Sequence, residues 1–316
     1  INAGVAVGGE GAAAVNTDNI TLLNGETKAA MDHTALTLSG NLAVKANRQT
    51  QLHTVGISGA LAGLGGSIGL GIDAVKDDSV IGAGLSDTAV TLTQDNTSVI
   101  DVTANNETHD NYQLYTINGS GIVSIGSNIA VGNMAAKVTT DLDHATIGEA
   151  HPADTTKDDT TKQAKSITVK SANDMTVKQK DWTGTASGMA VGSNISVVTV
   201  DSDVDTTVEN SHLYSDGEID VAASDARDAN LQLGNTAVGG AAGNLNVGIM
   251  TVGHKVEDKY AYTNTDTDQN GKTTTTTADS GADLGAAFTK ANAAIDDNTL
   301  TAQESLGTGQ SGPEKS

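Results

Sequence analysis

Cysteine is absent from this chain of 316 residues, proline occurs twice, and only seven residues are aromatic. Without cysteine there is no disulfide framework, thiolate zinc site or cysteine nucleophile. Basic residues are also scarce, because 17 Lys and Arg stand against 39 Asp and Glu, for a net charge of −22. An acidic surface cannot neutralise phosphates, so we expect no nucleic acid or anionic membrane as partner. No stretch approaches 18 apolar residues, which predicts no bilayer-spanning segment.

The apolar content is mainly Ala, Val, Ile and Leu, diluted by 36 Gly and by many Thr, Asn and Asp. Acidity and few aromatic residues are typical of disorder, and length alone suggests about two domains. Small and β-branched residues, however, suit a thin core between closely spaced strands. The chain begins at Ile1 without a signal-like segment, so we expect it to be part of a longer protein.

A Gly-rich segment with alternating apolar residues occurs five times, at offsets of 57, 61, 66 and 50 residues. Alternation over ten residues is the period of a β-strand. The middle position is always Gly or Ser, which predicts a column of small residues. The positions that share a face are Val5-Val7-Gly9-Gly11-Ala13, Ala62-Leu64-Gly66-Ile68-Leu70, Val123-Ile125-Ser127-Ile129-Val131, Met189-Val191-Ser193-Ile195-Val197 and Gly239-Ala241-Gly243-Leu245-Val247.

Two further elements follow each Gly-rich strand. One is a polar corner between apolar positions, as in Met31-Asp32-His33-Thr34-Ala35-Leu36 and Leu142-Asp143-His144-Ala145-Thr146-Ile147. The other alternates, as in Ile100-Asp101-Val102-Thr103-Ala104 and Ile167-Thr168-Val169-Lys170-Ser171. The third unit also carries a polar insertion from Glu149 to Ala164. Insertions confined to one place in the unit are typical of a solenoid.

These patterns predict an all-β fold, a parallel β-helix-like solenoid over residues 1–262, built from about five imperfect repeats of 50–66 residues. Stacked strands about 4.8 Å apart would bury an axial core and pair their backbone groups with the coils above and below. A coil of about 20 residues would give two or three coils per repeat. Antiparallel hairpins within each unit are the open alternative.

The pattern changes beyond residue 262. Residues 263–282 are rich in Asp and Thr and predict a loop. In residues 283–298 the apolar positions follow helical spacing and Asp283 is a candidate N-cap, which predicts a short helix. That helix would either cap the last coil or stand as an isolated amphipathic segment. Residues 299–316 have the composition of a linker and predict a mobile tail.

The repeated Gly-rich strand, Asp-His corner and Ile-x-Val-x-Ala strand of residues 5–256 resemble the β-helical shafts of large secreted bacterial adhesins. These are the filamentous haemagglutinin-like proteins and, closer in composition and repeat pattern, the leukotoxin-family filamentous adhesins. The resemblance implies a secreted or cell-surface filament segment that attaches to a receptor on host or neighbouring cells. It implies an extracellular or bacterial outer-surface location, no membrane insertion of this segment, and no catalytic residues.

Catalytic signatures are missing, since no G-x-S-x-G, H-E-x-x-H or phosphate-binding glycine loop occurs. His33 and His144 each follow an Asp at equivalent positions, but no third partner is evident, so we interpret them as a polar corner. We therefore predict no enzyme, no catalytic residue and no cofactor-binding residue. The main alternative is a carbohydrate-active enzyme, a polysaccharide lyase or hydrolase on a β-helix. It would need basic residues in a cleft, and Arg48 and Arg227 are the only arginines.

Calcium is the best-supported candidate ligand. Asp266, Asp268 and Asn270 alternate before Gly271, as in the first half of an oxygen-ligand loop, although the twelfth position is Thr277 and not Glu. The alternative is a solvated turn rich in Asp and Asn. A second acidic run, Asp201-Ser202-Asp203-Val204-Asp205, places three carboxylates on one side of a strand. We retain calcium at Asp266, Asp268 and Asn270 as the predicted metal site.

Overall fold

The structure of the chain, a computed structural model, describes residues 1–150, 161–253, 261–267 and 273–279. The described residues form β-strands, turns and bends and contain no helix. Accordingly, none of these residues belongs to a helix that could cross a bilayer.

Four strands recur in the same order along the chain. The first coil contains β1 (Asn2–Gly8), β2 (Ala13–Leu23), β3 (Glu26–Asp32) and β4 (Ala35–Leu38). The second contains β5 (Leu42–Ala62), β6 (Gly66–Asp77), β7 (Val80–Ser86) and β8 (Ala89–Leu92). The third contains β9 (Val99–Ser120), β10 (Val123–Met134), β11 (Lys137–Asp143) and β12 (Thr146–Ile147). The chain continues with β13 (Ser166–Ala186), β14 (Met189–Val200), β15 (Asp203–Glu209), β16 (His212–Leu213), β17 (Ile219–Val238) and β18 (Ala241–Val252).

Corresponding strands of successive coils pair in parallel and form four sheets. Sheet A has the order β1-β5-β9-β13-β17, and sheet B has the order β2-β6-β10-β14-β18. Sheet C contains β3-β7-β11-β15, and sheet D contains β4-β8-β12-β16. This arrangement confirms the predicted all-β solenoid, and it excludes antiparallel hairpins within the repeats of the described solenoid.

One coil corresponds to one repeat, so the predicted coil of about 20 residues is wrong. Ile100 of β9 pairs with Leu42 in one direction and with Ile167 in the other. The coil is large because sheet A strands are long. In β5, β9, β13 and β17, the predicted Ile-x-Val-x-Ala strand and the polar strand after it are one continuous strand of 20 to 22 residues.

The predicted register is correct between the third and fourth copies and wrong elsewhere. Val123 pairs with Met189 as predicted, but its other partner is Gly66 and not Ala62. Met189 likewise pairs with Ala241 and not Gly239. The predicted column of small residues therefore does not form: Ser127 lies between Leu70 and Ser193.

An apolar core fills the space between the first half of sheet A and sheets C and D. Its members are aliphatic side chains that alternate along the strands, such as Val44, Ile100, Val102, Ile81 and Leu142. A second apolar cluster around Met134, Met175 and Val177 lies between sheets A and B. Alternating burial along β7, β9 and β13 shows that one strand face is directed inward in each.

Polar side chains fill the remaining space between sheets A and B. Asn128 of β10 donates to Asn194 Oδ1 of the next coil at 3.0 Å, and Asn194 donates to Asn246 Oδ1 at 2.9 Å. Asn128 and Asn194 are fully buried. Stacked amides at the repeat of the strands hydrogen-bond along the axis, as asparagine ladders do in cross-β structures.

Glycines of sheet B make room for the amides of sheet A. A Cβ on Gly126 would lie 2.8 Å from Asn118 Nδ2 and 2.8 Å from Thr183 Cγ2. A Cβ on Gly192 would lie 2.9 Å from Asn235 Cγ of β17. These glycines are required by close packing across the two sheets, and neither has a positive φ.

We expect Gly126→Ala to lower the free energy of unfolding by about 1–3 kcal/mol, because the added methyl overpacks a core without room for it. Gly243→Ala is the matched control, since this glycine also lies in a strand of sheet B and a Cβ there would have no atom within 4 Å. Urea unfolding followed by circular dichroism measures both. Equal stability of the two variants would contradict the packing role of Gly126.

The insertion Glu149–Ala164 falls between β12 and β13 in the chain. Of its residues, 151–160 lie outside the described part of the chain. Its base is hydrogen-bonded to both neighbouring coils. The backbone N–H of Gln163 donates to Asp95 Oδ1 at 2.8 Å, and the backbone N–H of Ala164 donates to Tyr214 O at 3.1 Å.

Two strands follow the solenoid. Strands β19 (Ala261–Thr267) and β20 (Thr273–Asp279) pair in antiparallel fashion, in the tract that contains the Asp- and Thr-rich residues 263–282. The predicted helix 283–298 and tail 299–316 lie outside the described residues.

Candidate functional site

The corner between sheets C and D repeats its geometry in four coils. His33, Asp87, His144 and Asn210 stand at equivalent positions with φ between 44° and 52°. The His33 amide donates to Ser86 O, the Asp87 amide to Asp143 O and the His144 amide to Glu209 O. The left-handed conformation favours residues such as Asn and Asp. This backbone requirement explains the polar corner predicted from the sequence.

At the first of these corners, three side chains offer ligand atoms that all lie within 4.8 Å of one another, a grouping found nowhere else in the described part of the chain. His33 Nδ1 lies 2.7 Å from Asp32 Oδ1, and His33 Nε2 lies 3.5 Å from Asp87 Oδ2. An Asp that is hydrogen-bonded to one ring nitrogen of a histidine orients the other ring nitrogen toward a ligand. All three side chains are exposed to solvent, where a cation would keep most of its water shell.

The corner borders a groove on the outer face of sheet C. The groove has a volume of about 700 Å³, and Gly82 and Gly84 form part of its floor. Lys28, Thr139 and Thr207 also line it, together with four carboxylates, namely Asp32, Asp141, Asp143 and Glu209. The Thr207 hydroxyl donates to Asp141, and Lys28 forms an ion pair with Glu26. An acidic, open groove of this kind can attract cations or polyhydroxylated ligands.

The two arginines are directed away from this groove. Arg48 Nη1 lies 3.1 Å from Asp77 Oδ2 and donates to Asn106 Oδ1 at 3.2 Å. Arg227 Nη2 donates to Ser202 O at 2.6 Å and pairs with Asp225. Arg48 therefore neutralises a buried carboxylate between sheets A and B, and Arg227 pairs with a carboxylate of its own strand, β17.

Three buried carboxylates between sheets A and B were missed by the sequence analysis. Burial raises the pKa of Asp73 to about 7, that of Asp110 to about 6 and that of Asp181 to about 8. Hydrogen bonds from Thr54, Tyr112 and Gln179 oppose these shifts only in part. Each carboxyl also has one buried oxygen without a partner in the structure. The only sequence signal is an Asp at an inward position of an alternating strand.

Of the predicted calcium ligands, Asp266 lies in β19, while Asp268 and Asn270 lie outside the described residues. The calcium site therefore stays a prediction. In the second acidic run, Asp203 and Asp205 are exposed on β15, and Asp203 Oδ2 lies 3.8 Å from Lys137 Nζ.

The aromatic residues are less scattered than the sequence suggests. Tyr112 is buried and donates to Asp110 Oδ2 at 2.6 Å, so it belongs to the interior. Tyr115 and Trp182 are partly exposed and pair in register on neighbouring strands of sheet A. These two rings lie on a different sheet from the groove and do not line it.

Comparisons with models of protein families, with curated proteins and with solved structures find no match to this chain.

Proposed function

We propose that this chain is a structural segment, a shaft, of a bacterial cell-surface or secreted adhesin, and that it mediates attachment by projecting a binding surface. The observation that carries the proposal is the continuous parallel ladder of sheets A to D. A ladder of this kind extends by adding coils without changing its cross-section, as in solenoid proteins.

The last described coil supports continued stacking. Ile219 and Val221 pair with the inward residues Ile167 and Val169 of β13. They are nevertheless 43% and 46% exposed, because β17 has no described strand on its other side. Another coil would bury these side chains, and each would contribute about 1–2 kcal/mol.

The insertion Glu149–Ala164 is the proposed contact region. It begins and ends at one corner of the solenoid, where its described base is held by both neighbouring coils. Loops carried on a rigid scaffold vary without disturbing the stack, which is why binding residues concentrate there. The proposed partner is a receptor on host or neighbouring cells, and the proposed location is extracellular or on the bacterial outer surface.

Beads coated with the 316-residue chain test this function. We expect them to adhere to host or neighbouring bacterial cells above beads coated with an unrelated acidic protein. A variant with Glu149–Ala164 replaced by a short Gly-Ser loop is expected to lose most of this adhesion while keeping its circular dichroism spectrum. Adhesion that is equal for the chain and the acidic control would contradict the shaft proposal, and full adhesion of the loop variant would contradict only the contact region.

The acidic groove on sheet C supports a second candidate, a polysaccharide lyase or hydrolase on the same scaffold. The observation that favours this candidate is that Lys28, Asp141 and Glu209 line the same groove. The test is incubation with acidic and neutral polysaccharides, followed by reducing-end and unsaturated-product assays. Product that disappears in Asp141→Asn would favour the enzyme over the shaft.

A further inference from the structure

An uncharged edge runs along the solenoid where sheet A turns into sheet B. Residues 54–72, 115–136, 183–200 and 229–253 contain no Asp, Glu, Lys, Arg or His. In the first coil, Glu10 is the single charged residue of the corresponding turn. Such a strip is unexpected in a chain of net charge −22, since exposed surfaces normally mix charged and apolar residues.

Large aliphatic side chains are exposed along this edge. Val7, Leu61, Ile117 and Val238 of sheet A are 77%, 48%, 51% and 62% exposed. Leu64 and Ile122 lie in the turns themselves and are 65% and 58% exposed. We call these residues, together with the outward residues Ile68, Ile125 and Val191 of sheet B, the apolar edge. A contiguous exposed apolar patch of this kind marks an interaction surface.

The turns at this edge stack backbone on backbone. A Cβ on Gly63 would lie 2.6 Å from Gly9 O, and a Cβ on Gly121 would lie 2.6 Å from Gly63 O. The Gly63 amide donates to Gly9 O at 2.8 Å. Side chains of the apolar edge consequently form columns parallel to the solenoid axis, with about 4.8 Å between neighbours.

Two of these columns are complementary in size. On sheet A, the column is Val7, Leu61, Gly119, Ala186 and Val238. On sheet B, the column is Ala14, Ile68, Ile125, Val191 and Gly243. Except in the second coil, each coil therefore offers one large and one small residue at this level. A two-fold axis parallel to the solenoid would place the sheet A column of one molecule against the sheet B column of another.

We infer that the apolar edge is a lateral interface with a second copy of this chain, arranged in parallel. Two acidic molecules can approach along this edge because Glu10 is the only charged residue of its described turns, whereas a charged partner would find little to pair with. The exposed apolar side chains offer an area on the order of the 800 Å² that each partner contributes to a standard interface. The inference is independent of the proposed adhesin function.

Sedimentation velocity of the full chain over a wide concentration range tests this interface. We expect a dimer at tens of micromolar, and an unchanged or tighter dimer in high salt, since screening reduces the repulsion between acidic molecules. Ile125→Lys combined with Val191→Lys is expected to weaken association at least 30-fold. The control is Thr103→Lys combined with Thr168→Lys, on the outer face of sheet A away from the edge, and is expected to stay dimeric.

Disulfide cross-linking tests the parallel arrangement. Because the chain has no native cysteine, any disulfide must form between the introduced residues. Mixed Ala186→Cys and Val191→Cys chains are expected to form the mixed disulfide in preference to either homodimer. A monomer at all concentrations, or equal association of the edge and control variants, would overturn the interface. Vesicle binding that is lost in the edge variant, with a monomer in solution, would overturn it in favour of a lipid surface.

Discussion

The chain is expected to lose several kcal/mol of its free energy of unfolding between pH 5 and pH 9. Asp73, Asp110 and Asp181 are 1%, 2% and 0% exposed between sheets A and B. Burial raises the pKa of each carboxyl, to about 7, 6 and 8 respectively, from an ordinary value of 3.8. These groups are therefore protonated in the folded state over a range where the unfolded chain is already ionised.

The direction of the effect follows from proton linkage. A carboxyl with a raised folded pKa binds its proton more tightly when folded, so folding is favoured at low pH. That contribution is complete below about pH 4 and is lost as the pH rises to about 6 for Asp110, 7 for Asp73 and 8 for Asp181. Each pKa unit corresponds to about 1.4 kcal/mol.

Asparagine substitutions separate these groups from the rest of the acidic surface. Asp73→Asn combined with Asp181→Asn removes two ionisable groups and is expected to flatten the pH dependence of urea unfolding, with higher stability than the original chain at pH 9. Asp174→Asn, at an exposed position of β13, is the control. Ordinary carboxylates are already ionised above pH 5 and contribute little in this range. Parallel curves for the double variant and the control would contradict the assignment.

Asn128→Leu is expected to destabilise the chain by about 3–6 kcal/mol, a large fraction of typical domain stability. Leucine has the same number of side-chain heavy atoms and the same branching but cannot hydrogen-bond. The Asn128 amide donates to Trp182 O at 2.9 Å, to Thr183 Oγ1 at 3.0 Å and to Asn194 Oδ1 at 3.0 Å. Its loss would remove these buried hydrogen bonds to β13 and β14, and each buried polar group that is left unsatisfied costs about 1–3 kcal/mol.

Asn133→Leu is the matched control for this prediction. Asn133 lies on the same strand, β10, but on its outward face, one residue from the fully buried Met134. We expect this substitution to change stability by less than about 0.5 kcal/mol. Urea unfolding and limited proteolysis measure both variants. A cost below about 1 kcal/mol for Asn128→Leu would show that the amide ladder is dispensable.

Much of the fold could be predicted from local pattern. Alternation around Val123 and Val191 indicated strands, and the recurring Asp-His corner indicated the place where His33 and His144 break the strand with positive φ. The 66-residue offset between β10 and β14 is correct because both strands share the motif Ile/Val-Gly-Ser-Asn-Ile. The first copy was misplaced because Val5 and Val7 belong to sheet A, whereas Ala13 begins sheet B.

The candidate sites were harder to predict. The groove on sheet C joins Lys28 to Asp141 and Glu209, which lie in three different coils. The cluster at His33 includes Asp87 of the next coil. The strand register that brings these two side chains together cannot be read from the composition. The buried Asp73, Asp110 and Asp181 look like other acidic residues in a chain that has 39 of them.

By itself, the sequence determined that this chain forms strands, that the strands repeat, and that one part of each repeat has at most one charged residue. The tertiary structure alone decided which strand face is inward. An alternation of period two shows which residues share a face but not whether that face meets the core or the solvent. Between sheets A and B many of the inward positions are polar, as at Ser124 and Asn128, and Ile125 is directed outward. Only the stacking of whole coils could settle that inversion, because the amides are satisfied by their counterparts one coil away.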